Sequence, residues 1–205
     1  MSTRVQKPDT PMLKQPRQAR SRATVETIVI AAARILADQG WAGFTTNRVA
    51  EVAGVSIGSL YQYFPDKLSL IDAIRERHLA DCLSVLRNVT ATAKPLPVFV
   101  EELVSNIIAI HSINPGLHRV LLDEAPFSDT FRNPDSAFEQ EYLGYYERAV
   151  CSYQSSKDTV SAQLGARIIS DAIDGVIHNA ARRGTLNQPE IKHQLVKMII
   201  AYIKQ

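Results

Sequence analysis

The chain has 205 residues, 45 % of them hydrophobic, and 23 Lys and Arg against 21 Asp and Glu give a formal net charge of +2. That length allows one domain or two small ones around a sizeable core, and that hydrophobic share excludes a wholly disordered chain. There is no apolar run long enough for a membrane helix and no apolar signal segment behind Met1. Cys82 and Cys151 alone make neither a disulfide framework nor a zinc site, so a cytoplasmic protein off the membrane is expected.

The charge is uneven. Residues 1–24 carry Arg4, Lys7, Lys14, Arg17, Arg20 and Arg22 against Asp9, a net +5, so the rest of the chain sums to −3. Pro8, Pro11 and Pro16 break this stretch, and residues 1–19 read as a disordered basic arm. Such an arm is either a solvated tail or a phosphate-seeking extension beside a folded reader. Helical patterns then follow one another. Val25, Ile28, Val29, Ala32, Ile35 and Leu36 recur at three- and four-residue spacing, and Gly40 stops that helix. Short helices are expected over about 46–53 and 56–64, with Pro65 closing the second. A long helix is expected over 67–93, with a stripe of Leu68, Ile71, Ile74, His78, Cys82, Val85 and Val89. Further helices are expected at about 97–113, 115–124, 134–155, 159–183 and 188–204. Pro115, Pro126, Pro134 and Pro189 fall at their joints, where a missing amide is tolerated. The fold expected is all-α with about nine helices and no internal repeat.

The chemistry sits in residues 45–64, TTNRVAEVAGVSIGSLYQYF. Val49, Ala50 and Ala53 give the first short helix a small-residue face. Gly54 stands where a tight turn needs positive φ, and Ser56 is an N-cap for the next helix. Leu60 falls on the inner face of that helix. Two short helices joined this tightly form a helix-turn-helix, whose second helix enters the major groove. The spacing alone also fits an αα-hairpin of some other bundle. The surrounding residues add more: Gly40, Phe44, Thr45, Thr46, Val49, Ala50, Ala53, Gly54, Val55, Ser56, Gly58, Ser59, Leu60, Tyr61, Tyr63, Phe64 and Lys67. This pattern resembles the TetR (tetracycline-repressor) family of bacterial transcription regulators. The resemblance is specific over about residues 22–82; beyond that only helix number and order match. It implies a reader over residues 20–82 and an effector-binding and dimerisation domain over 83–205.

Under that resemblance each residue has a task. Thr46 at a helix start offers hydroxyl and amide to a phosphate. Ser56 and Gly58 open the recognition helix, and Gly58 lets backbone lie close to DNA. Ile57 and Ser59 can touch base edges, and Gln62 can pair bidentately with adenine. Tyr61, Gln62 and Tyr63 occupy positions the family uses for phosphate and base contacts, although one of the two tyrosines can equally be core. Lys67 is expected to bind phosphate.

The late helices are apolar on more than one face. Leu164, Ile168, Ala172, Val176 and Ala180 form one row, Ile169, Ile173 and Ile177 a second, beside Gly165 and Gly175. Leu195, Val196, Met198, Ile199, Ile200, Tyr202 and Ile203 cover most of the last helix. Such width fits burial against a second surface, or a central helix of a monomer. In the family these two helices from each subunit make a four-helix dimer interface. That assigns Ile173, Gly175, Ile177, Ile199, Ile200 and Ile203 to a homodimer contact, and a two-fold dimer suits a palindromic operator.

Between the halves, Phe99, Leu103, His111, His118, Leu122, Phe138, Tyr142 and Tyr145 could line a pocket for a small hydrophobic or aromatic effector, though each alone also reads as core. Phe127, Phe131 and Tyr146 belong to the same aromatic-rich stretch. His111 and His118 stand seven apart across Pro115 and make no metal site on spacing, so neither metal nor cofactor is expected. Arg119 and Asp123 are spaced to pair along a helix. No nucleophile elbow, phosphate-binding glycine loop or paired-carboxylate constellation is present, so no enzyme is expected. The reading is a DNA-binding transcription regulator: a dimeric repressor released from double-stranded operator DNA by a small-molecule effector. A helical small-molecule-binding or protein-interaction module without DNA binding is the alternative. Residues 1–78 carry a net +4 and residues 79–205 a net −2, so the near-neutral total averages a basic reading end and a slightly acidic sensing end.

Overall fold

The computed structural model describes residues 18–126, 136–154 and 159–204. The basic arm, apart from its last two residues, lies outside them, as do Phe127 and Phe131. The described residues form helices and no strand. In chain order these are α1 (Ala19–Gly43), α2 (Thr46–Ala53), α3 (Ile57–Tyr61), α4 (Lys67–Thr90), α5 (Leu96–Ser112), α6 (Pro115–Arg119), α7 (Ala137–Tyr153), α8 (Thr159–Arg182) and α9 (Pro189–Ile203). A π-helical turn, Val120–Glu124, continues α6. No helix among them is long and apolar enough to cross a membrane.

The caps explain the boundaries. Gly40 takes φ 67°, which breaks α1 and leaves Trp41, Ala42 and Gly43 as one added turn. Asp66 caps α4, its carboxylate accepting from the Ser69 amide at 2.8 Å. Proline opens α5, α6 and α9, where no amide partner is lost. The helix expected over 115–124 changes pitch at Val120, because the Ala125 amide reaches back five residues to the Val120 carbonyl at 2.8 Å. Leu68, placed in the α4 stripe by spacing, faces solvent; Ile71 and Ile74 of that stripe turn inward, joined by Leu70.

Two apolar clusters make up the core. One gathers Ile28, Leu36, Phe44, Val49, Leu60, Phe64, Leu70 and Ile74 from α1 to α4. The other gathers Leu86, Phe99, Leu103, Ile107, Tyr146, Ile173, Ile177 and Ile199 from α4 onward. Each fully buried large side chain contributes about 1.5–3 kcal/mol to its cluster. Helix α4 belongs to both, its first half to the reader and its second half to the body. The division at residue 82 therefore falls inside one continuous helix. It also leaves out a segment: Leu117, Val120, Leu121 and Ala125 pack into the reader cluster. Gly116 makes this fit possible, since a Cβ there would stand 2.5 Å from the Ala37 carbonyl oxygen.

Candidate nucleic-acid interface and sensing body

The helix-turn-helix is built as its residues require. Thr45, not Thr46, caps α2 by accepting from the Arg48 amide at 3.2 Å. That leaves Thr46 as the first helical residue. Gly54 ends α2 at φ 67° and ψ 29°. The Val55 amide then bonds the Ala50 carbonyl at 3.0 Å, and the Gly54 amide bonds the Glu51 carbonyl at 3.1 Å. This closure needs a left-handed residue, and glycine adopts it without strain. Ser56 caps α3, accepting from the Ser59 amide at 3.0 Å. Its hydroxyl also lies 2.8 Å from that of Ser59, so its first role is to hold the helix start.

The outer face of α3 carries most of the expected contact residues. Ile57 is 37 % exposed and Tyr61 44 %, with Gly58 and Gln62 also exposed. The Tyr61 hydroxyl lies 3.0 Å from Thr46 Oγ1, which fixes the tyrosine against the start of α2. Gly58 has room to spare: a Cβ there would meet only Ser56 Oγ, at 3.9 Å. The chain's own packing thus does not require a glycine at this position.

Two expected contacts need correction. Tyr63 packs its ring into the reader core and is only 8 % exposed, so of the two tyrosines Tyr61 alone presents a ring outward. Lys67 was expected to face phosphate, but its ammonium turns inward. It donates to the Trp41 carbonyl at 2.7 Å and sits 3.5 Å from the centre of the Trp41 ring. Partial burial lowers its pKa. Lys67 therefore fastens the end of α1 to the start of α4.

The dimer residues also divide. Ile173, Ile177, Ile199 and Ile203 are buried inside the chain's own body cluster, so they are core and not surface. The accessible apolar row is the neighbouring one, with Leu164 at 59 %, Ile168 at 42 % and, on α9, Met198 at 45 % exposure. Gly175 lies on the accessible side of α8, and Ile200 is half-buried.

The expected effector residues do not share one pocket. Phe99 and Tyr145 line a cleft of about 690 Å³, with Arg87, Lys94, Arg148 and Tyr153. His111, His118 and Tyr142 line a separate cavity of about 130 Å³, with Arg75, His78, Asp174 and His178. Leu103 is core, and Phe138 stacks on Tyr142 at 5.6 Å. The Leu122 side chain lies outside the described residues. Arg119 and Asp123 do not pair with each other: Arg119 takes Glu124 at 2.5 Å, and Asp123 takes Arg182 at 3.0 Å.

Sequence spacing missed two features. Four histidines from four helices converge in the smaller cavity, His78 of α4, His111 of α5, His118 of α6 and His178 of α8. Burial, reinforced by the neighbouring imidazoles, holds His78 down to about 3 and drives His118 lower still. Burial and His178 bring His111 down to about 4. Imidazoles so placed are neutral near pH 7. Arg75 is the second feature. Buried in the wall of the same cavity, it donates to the carbonyls of Pro126 at 2.8 Å and Leu121 at 3.0 Å, capping the π-helical turn. Glu124, at the end of that turn, accepts from the Trp41 amide at 3.1 Å. The turn is thereby tied both to α4 and to the end of α1.

A capped helix-turn-helix set on an all-helical body defines a DNA-binding transcription regulator. Comparison with known proteins agrees. Residues 28–74 match the bacterial regulatory proteins of the tetR family, and residues 95–203 match the tetracyclin repressor-like C-terminal domain. The chain belongs to the TetR family. The nucleoid occlusion factor SlmA of Haemophilus ducreyi is 27 % identical over 115 residues, 56 % of this chain and 57 % of that protein. The chain thus spans little more than half the length of the curated relatives it matches. A TetR-family transcriptional regulator from Haemophilus influenzae superposes with a TM-score of 0.68 at 18 % identity, over 92 % of this chain and 100 % of that one. The fatty acid degradation regulator FadR from Bacillus halodurans does so with a TM-score of 0.64 at 18 % identity, over 84 % and 97 %. At those identities the likeness is one of fold.

Proposed function

We propose that this regulator works in the cytoplasm as a homodimeric repressor, without catalysis, and leaves a palindromic operator when a small effector binds its body. Thr46, Ile57, Gly58, Tyr61 and Gln62 form the reading face. Ser59 lies at its margin, and Ser56 holds its frame. Thr46 and Tyr61 reach phosphate, and Gln62 reads a base edge. The exposed row of Leu164, Ile168 and Met198 meets its two-fold copy. The cleft beside Phe99, Tyr145 and Tyr153 takes an effector with an aromatic or apolar body. Its volume of about 690 Å³ falls in the ordinary range for small-molecule sites. Arg87 and Lys94 at its walls are paired with Glu141 and Glu102, and Arg148 lies over the Tyr145 ring.

The observation that carries this reading is the course of α4, which starts in the reader core and ends at Arg87 and Thr90 in the wall of that cleft. An occupant there acts on one end of the helix while the reader sits on the other. The test is selection of bound duplexes from a random DNA library with the full-length protein. The expected product is a palindrome whose half-sites lie about one helical turn apart. Gln62→Ala should change the preferred base at one position in each half-site and leave the salt dependence of binding intact. Recovery of no common sequence would refute the proposal.

A further inference from the structure

The smaller cavity has chemistry that the DNA-binding reading does not use. His78, His111, His118 and His178 each present a ring nitrogen there, and the four nitrogens all lie within 4.8 Å of one another. His111 Nε2 and His178 Nε2 are 3.1 Å apart. His111 Nδ1 lies 2.8 Å from the Ile107 carbonyl oxygen. A carbonyl can only accept, so Nδ1 carries the proton and Nε2 turns its lone pair toward the cluster. This arrangement orients a histidine as a metal ligand: one ring nitrogen donates to a backbone carbonyl, and the other, which here accepts from His178 Nε2–H, points into the cluster where an ion would take that proton's place.

We propose that these four histidines form a binding site for one divalent transition-metal ion of the zinc, cobalt or nickel type. A tetrahedral ion with bonds of about 2.0–2.1 Å needs its nitrogens about 3.3 Å apart. The His111–His178 pair already meets that spacing, and the widest pair must close by only about 1.5 Å, within reach of small ring rotations. An all-imidazole donor set selects borderline-soft ions over magnesium or calcium, which need oxygen. Asp174 lines the same cavity and offsets the ion's charge. The guanidinium of Arg75, the opposing charge, is held by the carbonyls of Leu121 and Pro126.

The ion would join α4, α5, α6 and α8 at one point. Of these, α4 and α6 both pack into the reader cluster. Bound metal therefore fixes the two elements that position the reader. This regulatory use rests on the DNA-binding reading above; the metal site itself does not.

The test uses the full-length protein after treatment with a chelator. Zinc is titrated against a chromophoric chelator, and cobalt is followed by its visible d–d absorption. One ion per chain is expected, with the intense cobalt spectrum of a tetrahedral site. His118→Gln and His178→Gln should each weaken zinc binding by about 100-fold, the upper end of what losing an outer partner alone costs. His193→Gln, at an exposed position on α9, should leave binding unchanged. Should either cavity variant fail to fold, zinc K-edge absorption of the wild-type protein decides, by showing a shell of imidazole nitrogens. Less than one ion per chain at micromolar zinc, a shell without imidazole, or binding that survives both cavity substitutions would each overturn the site. Operator binding is measured in parallel, with and without zinc. A clean metal titration with no operator binding refutes the regulator reading and leaves the site standing.

Discussion

Replacing Gly116 by alanine separates two opposing physical effects. At an ordinary helical position the change gains up to about 1 kcal/mol, because alanine loses less backbone entropy on folding. At Gly116 the new Cβ would stand 2.5 Å from the Ala37 carbonyl oxygen, 3.3 Å from its carbon and 3.5 Å from its Cα. All three are backbone atoms, so no side chain can swing aside. Relief requires α6 and α1 to part by about 0.9 Å at this point, and overpacking of this kind costs about 1–3 kcal/mol. The net expectation is a loss of about 1–2 kcal/mol, which in a chain of this size lowers the melting temperature by about 2–8 °C. Because α1 frames the reader, operator affinity should fall as well. Thermal and urea unfolding of the variant and the wild type measure the first effect, and fluorescence anisotropy on operator DNA the second. A variant as stable as wild type, or more so, would refute the close approach of α6 to α1 and the coupling built on it.

Other changes read other parts of the molecule. Gly58→Ala meets no obstacle within the chain, so stability should hold or rise slightly while operator affinity drops, as anisotropy would show. Lys67→Met removes a charged hydrogen bond and a cation–π contact, together about 2–3 kcal/mol. It should lower the melting temperature while leaving the slope of operator affinity against salt nearly unchanged, and a flattened slope would return Lys67 to the phosphate contacts. Leu164→Glu with Ile168→Glu places charge on the accessible row of α8. Sedimentation should then show monomers in place of dimers, with helical content preserved.

Much of the fold was legible because helices announce themselves locally. Proline at the joints, glycine at the breaks and three- and four-residue apolar spacing placed most boundaries within a few residues. The helix-turn-helix is the clearest case, since Gly54 and Ser56 perform their turn and capping roles through backbone atoms close in sequence. What failed depends on tertiary packing. Periodicity identifies two apolar rows on α8 but cannot say which faces the chain's own core; the structure buries Ile173 and Ile177 and leaves Leu164 and Ile168 accessible. In sequence Lys67 is a cation at a helix start beside the reader, and nothing local places the Trp41 carbonyl next to it. The four histidines escaped notice because metal-site spacing is a local test, and these come from four separate helices. One signal was available: His78 lay in the inward stripe of α4, one turn before Cys82, and its Nε2 is 3.7 Å from Cys82 Sγ. A buried polar ring needs a partner, and that requirement pointed inward to the cavity.

The joint between the halves determines how a signal can travel. A helix of the length of α4 spans about 36 Å, so a tilt of about 5° about one end displaces the other by about 3 Å. In the proposed dimer on a palindrome with half-sites about 34 Å apart, a shift of that size in each subunit takes the recognition helices out of register with successive grooves. The tilt cannot occur in α4 alone. Arg75 ties α4 to the end of the π-helical turn, and Glu124 ties that turn to the end of α1. Gly116 presses α6 onto the same helix. Any movement of α4 must therefore carry residues 115–125 with it or break the hydrogen bonds of a buried guanidinium, which costs several kcal/mol. The proposed effector, supplying a typical coupling of about 1–3 kcal/mol, cannot break those bonds, so any tilt it induces carries α4 and the 115–125 segment together. The histidine cluster draws one member from each of α4, α5, α6 and α8, so it meets that joint from both sides.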